Sequence, residues 1–226
     1  PQMWFDPILQ RAAESLPNVD LHFGCSVMDL ENSDSGVVVN VQKNDGVKET
    51  WRARYAVLCE GAGGRFRPQL SVKMVGRDLI NYTVSILFEC PAFLDATGFG
   101  PASRYIFIGQ NGVWGNITVQ DGSDLWRLSV LMGEERVDME AFDPHHWIAK
   151  AFGDTVPDYR LISARPWRRS ATVADKYRNK SVFLAGDVAH TMSNTGGFGM
   201  NTGLSDVVNL GWKLAANLRG WGGEAL

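Results

Sequence analysis

The chain has 226 residues, with 22 Lys and Arg against 25 Asp and Glu and a formal net charge of −3. That balance excludes the basic footprint a nucleic-acid surface needs, and the length suffices for one large or two small domains to bury a core. No apolar run reaches membrane-spanning length and no secretory signal pattern opens the chain, while Cys25, Cys59 and Cys90 are too widely spaced for a disulfide framework or a zinc pattern. A cytoplasmic protein with reduced thiols, binding neither membrane nor nucleic acid, is the expectation.

Asp6 as N-cap and Pro7 as first helical residue predict a helix whose apolar face is Ile8, Leu9, Ala12, Ala13 and Leu16, ended by Pro17-Asn18. Short strands are expected over 19–23, 26–30, 37–42 and 49–54, with Asn44-Asp45-Gly46 as a hairpin turn inside an antiparallel meander. The continuous apolar run 55–59 suits a buried parallel strand. It delivers Glu60-Gly61-Ala62-Gly63-Gly64-Arg65-Phe66-Arg67. Beyond residue 76 the texture changes to strands over 79–89, 104–109, 113–119 and 125–132, a helix begun by Asp143-Pro144 and a further strand at 159–165.

The last stretch is the most informative. Val182–Ala185 reads as a short buried strand ended by Gly186-Asp187. A loop over 191–201 carries Gly196, Gly197 and Gly199. From Thr202, the residues Leu204, Val207, Val208, Gly211, Leu214, Ala215 and Leu218 share one face at helical spacing. Orphan N–H groups at a helix start carry partial positive charge, and glycines let a ligand approach the backbone, so this stretch suits something negative. Nothing points to protein-only catalysis. His145 and His146 would project about 100° apart on a helix and cannot share a metal; no metal site is expected. His190 reads as a hydrogen-bonded histidine under the loop.

Gly186-Asp187-Val188-Ala189-His190, Gly196-Gly197-Phe198-Gly199-Met200-Asn201-Thr202-Gly203, Asp206 and Asn209-Leu210-Gly211-Trp212-Lys213-Leu214 together resemble the second FAD motif of the single-component flavoprotein aromatic hydroxylases, relatives of para-hydroxybenzoate and phenol hydroxylases. The 60–67 stretch is similar to that family's Asp-Gly motif near the pyrophosphate, with Gly61 and Arg67 in place but Glu60 for Asp and Gly64 for Ser. The resemblance implies an α/β fold with α+β character. A partial FAD-binding domain of three-layer ββα type would span 1–75 and 171–226, and an antiparallel β-sheet substrate domain 76–170.

It further implies an FAD-dependent monooxygenase that uses NAD(P)H and O2 to hydroxylate a small aromatic, phenolic substrate, with a homodimer as a compatible assembly. A non-catalytic or truncated remnant, or an epoxidase or reductase on the same scaffold, is the alternative. Asp187 would hydrogen-bond a ribityl hydroxyl, Gly199, Met200 and Asn201 would face the flavin's pyrimidine edge, and Gly186, Gly196, Gly197, Gly61, Arg67 and Gln2 would complete the cofactor contacts. Ser193-Asn194 stands where the family usually has Pro-Pro or Ser-Pro, whose proline stiffens the loop. Gly61-Ala62-Gly63-Gly64 has the wrong spacing for a dinucleotide fingerprint. The ADP-binding unit is therefore expected outside these residues, and residues 1–226 alone are not expected to hold FAD tightly.

Overall fold

The structure, a computed structural model, describes residues 2–193 and 196–223; Asn194 falls outside them. In chain order the elements are α1 (Gln2–Glu14), β1 (Cys25–Ser33), β2 (Gly36–Lys43), β3 (Lys48–Ala53), β4 (Ala56–Leu58), β5 (Met74–Glu89), α2 (Phe93–Thr97), β6 (Arg104–Gly109), β7 (Gly112–Val119), β8 (Leu125–Leu131), α3 (Pro144–Phe152), β9 (Arg160–Ala174), β10 (Arg178–Asn179), β11 (Val182–Leu184), β12 (His190–Thr191) and α4 (Gly199–Leu218). They make a mixed α/β fold dominated by antiparallel sheet, in which β4 and β11 pair in parallel. Two compact units result. One comprises the N-terminal residues to Leu16 with Leu79–Arg169, the other Pro17–Asp78 with Ser170 onward.

The 79–169 unit is an antiparallel sheet in the order β9-β5-β8-β7-β6. Val84, Ile86 and Phe88 of β5 alternate onto one face, and Leu128 and Val130 of β8 join them, all with no exposed surface. Helix α3 covers this face with Ile148 and Ala151. It starts as the sequence predicts. Asp143 caps it by accepting from the His145 N–H at 2.9 Å, and Pro144 takes the first turn, where its missing N–H is harmless. Phe93 stacks on Trp126 with ring centroids 3.9 Å apart, and the indole N–H donates to the Cys90 carbonyl.

The other unit holds the meander β1-β2-β3 and the small sheet β10-β11-β4. Asn44-Asp45-Gly46 turns the hairpin as predicted: Gly46 sits at φ 86°, and Asp45 accepts from the Val47 N–H. Val37, Phe66, Leu70, Val182, Leu184 and Val188 form the core. Strand β11 is central, flanked by β10 and β4, with Val182 and Leu184 buried and Phe183 half-buried.

Four expectations need correction. Helix α1 begins four residues before Asp6 and takes Pro7 into its interior; a proline that early removes a single backbone bond. Residues 19–23 form no strand, because Gly24 at φ 68° turns the chain and pairing starts at Cys25. Strand β9 continues through Pro166 to Ala174. The proline is tolerated because β12 pairs with β9 only at Thr172 and Val173, which leaves the edge beside Pro166 free. In α4, the face read as apolar is only partly turned inward: Val207, Val208, Gly211 and Leu218 are exposed, whereas Leu204, Leu214 and Ala215 are half-buried, as are Gly203, Asp206, Leu210 and Asn217.

Candidate functional site

Strand β11 ends at Leu184, and Gly186 at φ 72° throws the backbone into a single 3-10 turn, Gly186–Val188. Only a residue without Cβ adopts that φ at no cost. The turn is held at both ends. The Gly186 N–H donates to Asp206 Oδ2 of α4 at 2.8 Å, and Arg67 Nη1 donates to the Val188 carbonyl at 3.0 Å. Between these anchors Asp187 projects outward and is exposed. Helix α4 lies directly against the turn: a Cβ added at Gly203 would stand 3.5 Å from the Gly186 Cα.

The loop after β4 forms the second wall. Gly61 and Gly64 have φ 77° and 49°, and Gly64 donates back to Gly61. Arg67 Nη2 donates to the carbonyls of Ala62 at 2.7 Å and Gly63 at 3.4 Å. Thus one guanidinium staples this loop to the Gly186–Val188 turn. The sequence suggested a carboxylate or phosphate partner for Arg67; its donors instead serve three backbone carbonyls. Glu60, longer than the acid expected there, reaches forward and accepts from the Phe66 N–H at 3.0 Å, closing the loop. Gly64 has its own reason. A Cβ there would lie 2.3 Å from Arg67 Nε.

We expect Gly64→Ala to cost about 1–2 kcal/mol from the left-handed backbone alone, before the guanidinium is displaced. Gly63→Ala, whose Cβ would meet nothing within 4 Å, is the matched control with an expected change near zero. Thermal unfolding of the two variants checks this; equal melting temperatures would mean the loop re-forms around the methyl group.

The third wall is the start of α4. Phe198 occupies the N-cap position and offers no side-chain bond to the first turn, and the first helical bond runs from the Thr202 N–H to its carbonyl at 2.8 Å. Gly199, Met200 and Asn201 therefore form an uncapped first turn that carries the positive end of the helix. The helix begins three residues earlier than its apolar pattern suggested, which places these three inside it. Gly196 seats the Phe198 ring, which a Cβ at 196 would strike at 2.2 Å. At Gly61, Gly186, Gly197 and Gly199 an added Cβ would meet no atom within 4 Å, so the backbone is approachable at each.

Gly186, Asp187, Gly61, Arg67 and the α4 start thus belong to one unit and converge on one turn. Gln2 lies in α1, grouped with the other unit. His190 is the hydrogen-bonded histidine that the sequence suggested; what sequence reasoning missed is its partner, Asp206. His190 is buried, and its Nε2 donates to Asp206 Oδ2 at 2.5 Å. The available signal was an acid on the inner side of α4, one helical turn after Gly203, the residue that touches the turn. Tyr177 packs beside His190, with centroids 6.3 Å apart, and its phenol is pushed above the ordinary range by burial and then by Asp206. His145 is spent on Tyr159, at 2.5 Å, and among the described residues no group of three His, Cys, Asp or Glu could hold a metal.

The whole chain, residues 1–226, matches the FAD binding domain family. It is 32% identical over its full length to a 4-methyl-5-nitrocatechol 5-monooxygenase of a Burkholderia species, covering 42% of that protein. Among solved structures it is similar to the rebeccamycin biosynthetic enzyme RebC with reduced flavin, at TM-score 0.86 and 32% identity over 99% of this chain and 42% of that one. It is also similar to aklavinone-11 hydroxylase with FAD and aklavinone, at TM-score 0.86 and 26% identity over 96% of this chain and 41% of that one. The chain therefore spans about two fifths of the length of these relatives. With the family matched from end to end, the chain belongs to the FAD binding domain family, and the proteins that it is similar to include a monooxygenase and a hydroxylase.

Proposed function

We propose that the whole protein is an FAD-dependent monooxygenase that uses NAD(P)H and O2 to hydroxylate a small aromatic, phenolic substrate. The observation that carries this reading is the turn bearing Asp187, held by Asp206 and Arg67 beside an uncapped helix start. The residues fit a flavin. Asp187 is exposed and would accept from a ribityl hydroxyl, a charge-assisted bond. The N–H groups of Gly199, Met200 and Asn201 would stabilise negative charge at the pyrimidine edge. Gly61, Gly186 and Gly197 would let the cofactor approach the backbone, Gly196 would serve the site by seating the Phe198 ring, and Arg67 would hold the two loops at a fixed distance.

FAD, when bound, would supply the oxygen-activating chemistry that no side-chain constellation here offers. The names of the relatives support an aromatic ring as substrate, the Burkholderia protein being named for a nitrocatechol. Residues 76–170 would form the substrate-carrying domain. No helix among the described residues is long and apolar enough to cross a membrane; a cytoplasmic enzyme, able to form a homodimer, is proposed.

The test uses the full-length protein. It should carry FAD and oxidise NAD(P)H faster when a phenol is added. Asp187→Ala should lose about 1.5–3 kcal/mol of cofactor binding, roughly tenfold to a hundredfold in Kd, read by flavin fluorescence titration. A wild-type protein that takes up no flavin would defeat the reading. Unchanged affinity in the variant would only remove Asp187 from the site.

A further inference from the structure

We propose that Asp206 is a positioning residue for the flavin site, acting through the Gly186–Val188 turn and not by touching the cofactor. The inference rests on the FAD reading above and deepens it. A single oxygen, Asp206 Oδ2, accepts from both sides of the segment that carries Asp187: the Gly186 N–H at 2.8 Å before it and His190 Nε2 at 2.5 Å after it. Since the partner is a carboxylate, the imidazole proton sits on Nε2. His190 is buried and the Asp206 side chain is one-fifth exposed, so neither bond competes freely with water.

The geometry explains why a mere tether would not suffice. Asp206 stands six residues beyond Met200 on the same helix, about 9 Å along its axis. Pinning the turn to that point places Asp187 and the first-turn N–H groups of Gly199, Met200 and Asn201 in one rigid frame. A single cofactor that must reach both groups of contacts gains affinity only if their separation is preset. Gly203 closes the remaining freedom, because the helix backbone already lies against Gly186. The charge of Asp206 is felt around it: Cys59, like Tyr177, is pushed up by burial first and by Asp206 second. An acid with no role but packing could be replaced by an apolar residue. Here it holds the turn whose own acid, Asp187, is exposed.

The test is a double-mutant cycle in the full-length protein, with Asp187→Ala and Asp206→Ala, reading FAD Kd by fluorescence and apoprotein melting separately. If Asp206 acts through Asp187, Asp206→Ala alone weakens FAD about tenfold, and in the Asp187→Ala background the further loss is under about threefold. Asp206→Asn, whose amide oxygen can accept both bonds, should stay within about threefold of wild type. Losses that multiply in the double variant, or a lowered apoprotein melting temperature with unchanged Kd, would overturn the proposal. If Asp206→Ala does not fold, Asp206→Glu shifts the accepting oxygen by one methylene while keeping it, and the same cycle is judged by the same criteria. A wild-type protein that binds no FAD overturns both this inference and the functional reading. Flavin binding that is sensitive to Asp187 but not to Asp206 overturns this one alone.

Discussion

Arg67→Ala is expected to release the Gly186–Val188 turn and to lower the stability of its unit by about 2–4 kcal/mol, since hydrogen bonds from a charged donor are worth about 1.5–3 kcal/mol each and the variant leaves their acceptors unpaired. Two of the three bonds are well formed, at 3.0 Å to Val188 and 2.7 Å to Ala62, and the third is long at 3.4 Å. Arg67 is half-buried, so water can recover part of the loss at the Ala62 and Gly63 carbonyls. The Val188 carbonyl belongs to a fully buried residue and recovers less. Arg67→Lys should not rescue, because one ammonium on a flexible stem cannot serve two loops with a planar fork. Urea unfolding of both variants measures this. A lysine variant equal to wild type would show that charge alone, not the two-sided staple, holds the loops.

A second large effect is expected from Phe88→Ala in the other unit. Phe88 has no exposed surface, and its ring meets the edges of Phe152 at 6.3 Å and Tyr159 at 6.0 Å. Truncating such a residue costs about 3–5 kcal/mol, from lost burial and from the cavity left behind. The two units have separate cores, so the variant should split unfolding into two transitions, the earlier one belonging to the 79–169 unit. Near-ultraviolet circular dichroism and flavin release, followed against urea in the full-length protein, distinguish the outcomes. Simultaneous loss of both signals at an earlier midpoint would mean that the units unfold as one.

How much of this was legible in the sequence depended on whether the signal was local. Asn44-Asp45-Gly46, Asp143-Pro144 and the run at 182–184 each carry their own backbone instruction, and each formed as read. The glycine loop before α4 was equally plain. What escaped were decisions taken by distant partners. Pro166 should interrupt a strand, yet the free edge beside it lets β9 run on. Val207 and Val208 fit an inward apolar face by periodicity, yet the helix turns Gly203 and Asp206 inward because Gly186 needs close contact and an acceptor. Arg67 could be placed in a motif by spacing, but its three acceptors lie on two segments more than a hundred residues apart, and no local pattern announces that.

The crossing points between the two units have a bearing on how the chain acquires its fold. The parallel pair joins Val182 to Ala56, with residues 79–169 interposed. Pairing them directly means closing a loop of well over a hundred residues. The interposed unit, however, ends in strands that neighbour each other: β5 lies beside β9, and Arg169 Nη1 reaches Asn81 at 3.3 Å. Once that unit has folded, its entry and exit are already together, and the loop left to close shrinks to about a quarter of its length. The closure entropy saved is about 1 kcal/mol. During synthesis residues 79–169 leave the ribosome before β11 does, and domains fold as units in that order. The inserted sheet therefore serves as a splint, and the Gly186–Val188 turn, which follows β11 and is held by Asp206 of α4, sets after it.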